Sequence, residues 1–180
     1  MNTLSYGLLA LLSANRLTGY DLTQRIKPFW HAGHSQIYPL LASMEQQGYI
    51  SFELIEQQDK PDKKEYGITN EGLEQLKSWV EQPAENPVLK DELHFKLYSL
   101  WLSEPDKAKE LLRQRAVFCL SEVNRYKELL SRNEELCLER GESRELKAST
   151  FGRYLLLRKR VMDMETSLKF CEIALEELEQ

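Results

Sequence analysis

Residues 34–50, HSQIYPLLASMEQQGYI, decide the fold. Ile37, Leu40, Leu41 and Met44 recur at the spacing of one helix face, while Ser35, Gln36, Tyr38, Ala42 and Ser43 fall on the other. Ser35 is a candidate N-cap, because its hydroxyl can accept one of the backbone N–H groups left free in a first turn. Gly48 can adopt the left-handed conformation that ends a helix, and Tyr49–Ile55 then changes to a two-residue period. The spacing therefore predicts a short amphipathic helix running directly into a strand. Its outer face carries small polar groups and a tyrosine rather than charges, the character of a surface that lies against a partner.

Two short helices precede it. Leu4, Leu8, Leu11 and Leu12 stripe the first, with Thr3 or Ser5 as candidate caps. Leu17-Thr18-Gly19 turns into a second helix carrying Tyr20, Leu22 and Ile26, capped by Thr18 and stopped by Pro28. Three short helices with brief turns form a helix-turn-helix plan, in which residues 34–47 are the recognition helix. Ile50, Phe52 and Leu54 alternate in a first strand, the lysine-bearing EQQDKPDKK is a loop, and residues 65–69 return as a second strand. This hairpin is a wing. Thr69 or Asn70 caps a fourth helix bearing Leu73, Leu76, Trp79 and Val80.

Residues 82–88, QPAENPV, carry two prolines and read as a linker. Beyond it everything reads as helix. Leu89, Leu93, Leu97 and Leu100 form one stripe. Ser103 precedes a long helix striped by Leu112, Ala116, Cys119, Val123, Tyr126, Leu130 and Cys137. After a polar break at 141–149, the last helix carries a heptad pattern. Tyr154, Val161, Leu168 and Leu175 occupy one position, and Leu157, Met164, Cys171 and Leu178 the other. Such a seam must pack on preceding helices, on a second copy, or on both. These eight residues are the candidate dimerisation set.

The fold class is thus mainly α with a small β-hairpin: a winged helix-turn-helix domain (1–81), a linker (82–88) and a coiled-coil-like helical dimerisation domain (89–180). The net charge is −5, with seven basic and ten acidic residues in 1–81. Global charge is a weak test of DNA binding, since affinity depends on the local patch that meets the phosphates. No apolar run approaches the roughly 20 residues of a membrane span. The first sixteen residues lack the basic start of a signal peptide. Three widely separated cysteines argue against a disulfide framework or zinc site, and for a reducing cytoplasm.

Three motifs resemble one family. Leu17-Thr18-Gly19-Tyr20-Asp21-Leu22 resembles its HGY(D/E) turn, Ser35 to Leu41 with Met44-Glu45 and Gly48-Tyr49-Ile50 its S-x-I/V-Y-P-x-L-x-x-L-E-x-x-G-L-I signature, and Lys64 to Gly72 its R/K-x-Y-x-I/L-T-x-x-G wing end. This is the PadR family of bacterial transcriptional regulators, in the branch with a long C-terminal domain. The resemblance implies a winged helix-turn-helix homodimer that binds double-stranded operator DNA, usually as a repressor. Two departures stand out: Thr18 where histidine is common, and no Lys or Arg on the recognition helix.

Candidate DNA-contacting residues are Ser35, Gln36, Tyr38 and Ser43 on the recognition helix, Thr18 and Tyr20 at the second helix, and Lys63 and Lys64 (with Lys60) in the wing. Glutamine can pair with adenine edges, hydroxyls with phosphates or bases, and lysine with phosphates. Trp30 and His31 on one side of the linker, and His94, Tyr98 and Trp101 on the other, are candidates for a small aromatic effector. No Gly-rich phosphate loop, metal-spaced ligand set or nucleophile–base pair is present, so neither enzyme nor cofactor is expected. The alternative to a DNA reader is a winged-helix module that docks protein partners, favoured by the acidic balance.

Overall fold

The computed structural model describes residues 1–56, 62–88, 90–142 and 149–179, with the Ser149 side chain excepted. Lys60 and Leu89 lie outside the described residues. The chain divides into two compact units, Met1–Pro87 and Val88–Gln180.

The first unit opens with α1 (Thr3–Leu12), the two-residue strand β1 (Leu17–Thr18), α2 (Gly19–Ile26) and α3 (His34–Gln46). β2 (Ile50–Ile55), β3 (Lys63–Ile68) and α4 (Asn70–Val80) follow. The wing is more than the expected hairpin. β3 is the central strand of three, pairing antiparallel with β2 (Ile50↔Ile68 to Ile55↔Lys63) and with β1 (Leu17↔Tyr66, Thr18↔Glu65). Two residues carry no period that a sequence reading can detect, which is why β1 reads as a turn.

Helix starts follow local hydrogen bonding, with differences from the expected caps. Asn2, not Thr3 or Ser5, caps α1: its Oδ1 accepts from the Ser5 N–H at 2.9 Å. Gly33, not Ser35, begins α3, and its N–H donates to Gln36 Oε1 at 3.2 Å. With the start moved upstream, Pro39 lies inside α3 and provides no N–H for the Ser35 carbonyl. Thr18 caps α2 in a full capping box with Asp21. Thr69 caps α4 and does more. Its hydroxyl accepts from the Gly72 N–H (3.1 Å) and donates to the Gly48 carbonyl (2.7 Å), joining the start of α4 to the turn at Gly48, where φ is +76°.

The core under this unit is apolar and closed. Leu8, Leu9, Leu22, Ile37 and Leu41 are wholly buried, each worth about 1.5–3 kcal/mol relative to exposure. Tyr6 stacks face to face on Trp79 at 4.7 Å, holding α1 to α4. Leu54, expected on the inner side of the wing, is 61% exposed, because the hairpin runs out past the core.

The second unit holds α5 (Glu92–Tyr98), one 3-10 turn (Leu100–Leu102), α6 (Pro105–Glu139) and α7 (Ser149–Glu177). Asp91 caps α5 and ion-pairs with Arg115 of α6. Glu104 rather than Ser103 begins α6, with Pro105 at the first helical position. Pairs of residues between α6 and α7 descend in α7 as they ascend in α6: Tyr126 with Arg160, Asn133 with Thr150. The two helices are therefore antiparallel. Leu112, Cys119, Tyr126 and Asn133 recur every seven residues on the buried side of α6. From α7, Leu157, Val161 and Cys171 are buried within the single chain. Those three seam residues are used inside the chain, and Tyr154, Met164, Leu168, Leu175 and Leu178 are half-buried beside them. Burial pushes the thiols of Cys119 and Cys171 up, so both stay protonated and unreactive.

Gly72 gives a test of the first unit. A Cβ there would sit 2.1 Å from the Tyr49 carbonyl oxygen, a backbone atom. Gly72→Ala should therefore cost about 1–3 kcal/mol in a thermal or urea melt, although alanine is the better helix former. An unchanged melt would count against this packing.

Candidate nucleic-acid interface

The face of interest is built where α2, α3 and the wing meet. Gly19 opens α2, and the ring of Tyr38 from the first turns of α3 lies directly over it. A Cβ on Gly19 would be 2.9 Å from Tyr38 Cε1. The absence of that atom lets the tyrosine cross from one helix to the other. Tyr20 is 60% exposed and Tyr38 46%. Tyr20 is therefore a surface residue.

β1 carries the wing to the same place. Because Thr18 pairs with Glu65, the lysines just before it in β3 come alongside the start of α2. Thr18, Gly19, Tyr20, Asp21, Tyr38, Asp62, Lys63, Lys64 and Tyr66 line one open cavity of about 570 Å³. Five of the DNA-contact candidates, Thr18, Tyr20, Tyr38, Lys63 and Lys64, thus share one hollow. Ser35, Gln36 and Ser43 are exposed on α3 outside that lining.

The chemistry differs from residue to residue. Lys63 is exposed. Lys64 is held: its Nζ lies 3.6 Å from Glu45 Oε2 and 3.6 Å above the Phe52 ring. Tyr66 is buried at the back of the hollow, and its hydroxyl is pushed above the ordinary phenol range by burial, then by the Glu45 carboxylate and by Tyr38. It is a neutral phenol. The Thr18 hydroxyl donates to Asp21 Oδ2 at 2.7 Å and accepts from the Asp21 N–H in the capping box. Gln36 is partly committed as well, since its Oε1 accepts from Gly33 while its amide hydrogens remain for a base edge. Ser43 Oγ accepts from Gln47 Nε2 and retains its own hydrogen to donate.

Gly19 and Tyr66 escaped the sequence reading as parts of the site. The signal for Gly19 is a glycine at the first position of a helix, where a better helix former would fit unless something approached closely. Among the effector candidates, Trp30 and His31 are exposed in the first unit. His94, Tyr98 and Trp101 lie on α5 and the 3-10 turn of the second, with Tyr98 86% exposed. No cluster of metal-ligating side chains occurs among the described residues, and none of their helices is long and apolar enough to cross a membrane.

Comparison with known proteins agrees across both units. Residues 8–78 match the family described as "Transcriptional regulator PadR-like family", and 89–179 match "Virulence activator alpha C-term". The chain is 32% identical to the negative transcriptional regulator PadR of Bacillus subtilis, over 88% of each chain. The crystal structure of Bacillus subtilis PadR with operator DNA superposes with a TM-score of 0.84 at 28% identity, covering 99% of this chain and 98% of that one. The same protein with p-coumaric acid gives a TM-score of 0.76 at 26% identity, covering 99% and 100%. A relative this similar over this length, with the same family matched on the winged helix itself, means that the chain belongs to the PadR-like family of transcriptional regulators.

Proposed function

We propose that this protein is a DNA-binding repressor that grips a palindromic operator as a homodimer and is released by a small phenolic-acid-like effector. The observation that carries the reading is the single hollow in which two exposed tyrosines from α2 and α3 face two lysines of the wing. Tyrosine hydroxyls and lysine ammonium groups are phosphate ligands. Ser35, Ser43 and the amide of Gln36, exposed along α3, are suited to base edges in the major groove. Since α3 has no Lys or Arg, it discriminates more than it holds, and the wing supplies charge. The operator and p-coumaric acid complexes of the Bacillus subtilis relative support DNA as the partner and an aromatic acid as the signal.

The second copy is supported by what the second unit leaves in water. Phe95, Tyr98 and Trp101 are each about four-fifths exposed, and α7 presents Met162, Phe170 and Ile173 on its outer side. Large apolar groups left exposed on so small a unit are suited to an interaction surface. Two half-sites about 34 Å apart on one DNA face match two recognition helices held by such a surface.

Selection of random duplexes by the purified protein tests the class: enrichment of a palindrome is expected, and no enrichment would refute it. Lys63→Ala with Lys64→Ala should flatten the dependence of log K on log salt by about 0.9 for each phosphate that the wing no longer neutralises. An unchanged slope would remove the wing from the interface. Gly19→Ala should weaken duplex binding about tenfold, the loss of one hydrogen bond's worth of placement, while the isolated melt is unchanged or raised by the better helix former. In sedimentation the protein should run at twice the 21.1 kDa chain mass. Phe95→Glu with Tyr98→Glu should convert it to the monomer, and a wild-type monomer at micromolar concentration would exclude the dimer. A panel of hydroxycinnamates that leaves operator binding unchanged would exclude that effector class.

A further inference from the structure

Tyr66 closes the back of the hollow. It stands on β3 two residues from Lys64, so the two side chains lie on the same side of the strand. The residue is 5% exposed and belongs to the core, and its ring meets that of Phe52 at 6.0 Å between centroids with a 59° tilt. A phenylalanine would make those apolar contacts equally well. The atom they leave unexplained is the hydroxyl oxygen. It makes no hydrogen bond among the described residues, although polar atoms at such depth generally have a partner. Nor is it sealed in, since the sealed and unpaired side-chain polar atom among the described residues is Asn133 Oδ1. The small accessible edge of Tyr66 therefore includes its hydroxyl and faces the hollow that the residue lines.

The surroundings select what such a hydroxyl would meet. Burial, then the Glu45 carboxylate and Tyr38, push the phenol up, so it keeps its proton and remains a donor. Lys63 and Lys64 line the wing side of the same hollow, and Tyr20 and Tyr38 its helix side. Two of the nearby carboxylates are engaged. Asp21 Oδ2 accepts from the Thr18 hydroxyl at 2.7 Å and from the Thr18 N–H at 3.3 Å, and Glu45 pairs with Lys64. Asp62 lies beside Lys63 at the start of the strand. A neutral donor beside two ammonium groups suits an oxygen that the cations also attract. The non-bridging oxygens of a DNA phosphate are of that kind, and tyrosine hydroxyls are among their usual donors.

We propose that Tyr66 is a further DNA-contacting residue, whose hydroxyl donates to a non-bridging oxygen of one backbone phosphate seated in the hollow beside Lys64. This rests on the DNA-binding reading above. The ring is fixed in the core, so the hydroxyl stands at a set depth, whereas the lysine side chains end in flexible, rotatable groups. Tyr66 thus supplies position rather than charge: it sets how far the backbone enters the hollow, and with it the register of α3 in the groove. The two kinds of contact differ in their salt dependence. Losing a lysine changes the number of counterions released on binding, while losing a neutral hydroxyl does not.

The test measures the Kd of the full-length protein for a fluorescent duplex obtained by its own selection from random sequence. Tyr66→Phe keeps the ring and removes only the hydroxyl. It should leave the thermal melt unchanged or raised and weaken binding about tenfold. Its log–log salt line should be displaced parallel to that of the wild type. The phosphate is then located with duplexes carrying a single methylphosphonate, moved along the strand and separated into diastereomers, so that each non-bridging oxygen is removed in turn. At one phosphate of each half-site, the isomer lacking the contacted oxygen should weaken the wild type and bind the wild type and Tyr66→Phe within about twofold of each other. At every other phosphate the tenfold gap should persist. Tyr66→Phe binding as tightly as the wild type would overturn the proposal. So would a tenfold gap that persists at every phosphate, since the hydroxyl would then act through the fold or a base. Either result leaves duplex binding intact, whereas a wild type that binds no duplex at any salt overturns the DNA reading and this with it.

Discussion

The packing of Tyr38 on the bare face of Gly19 is the constraint on which the face built by α2, α3 and the wing depends. Two helices of a helix-turn-helix approach closely only where a side chain is missing, and the place of that gap determines where the crossing residue emerges. Here the missing atom is the Cβ of Gly19, and the residue that crosses is a tyrosine whose ring would otherwise lie within 3 Å of it. With Tyr38 in place, His34 one turn upstream falls between it and Tyr20. Ile37 and Leu41, on the opposite side of the same helix, are driven into the core with no exposed surface.

The wing is tied to this arrangement by a strand of two residues. β1 pairs with β3, and Thr18, the last residue of β1, is also the cap of α2. A single residue joins the sheet to the helix start, so the lysines of β3 are delivered beside Tyr20 and Tyr38. The same residue's hydroxyl is donated to Asp21. Lys64 is paired as well. Its pairing with Glu45 at 3.6 Å is half-exposed and worth little by itself.

The second unit solves a different problem. A pair of long helices carries more apolar surface than one antiparallel seam can hide. Leu112, Cys119 and Tyr126 on α6 face Leu157, Val161 and Cys171 on α7. Asn133 continues the seven-residue series as a buried polar residue, donating from Nδ2 to the Thr150 carbonyl while its Oδ1 has no donor among the described residues. A polar residue in such a seam weakens packing and selects register. It is invisible to a search for apolar stripes, which steps from Leu130 to Cys137 and passes over it. What the seam cannot cover, from Phe95 on α5 to Ile173 on α7, remains outside.

Much of this was legible in the chain as written. The three-helix plan, the strand after Gly48, the capping by Thr18 and the long terminal helices all depend on interactions within a few residues: hydrophobic period, cap chemistry, and a glycine that can take positive φ. Those are local, and the sequence by itself determined them. Tertiary structure decided the rest, because it depends on pairs far apart in the chain. β1 exists only because β3 returns beside it. Leu157, Val161 and Cys171 are buried in their own chain where heptad spacing alone left a second copy equally possible. A period reports which face of a helix is apolar; only packing decides what covers that face.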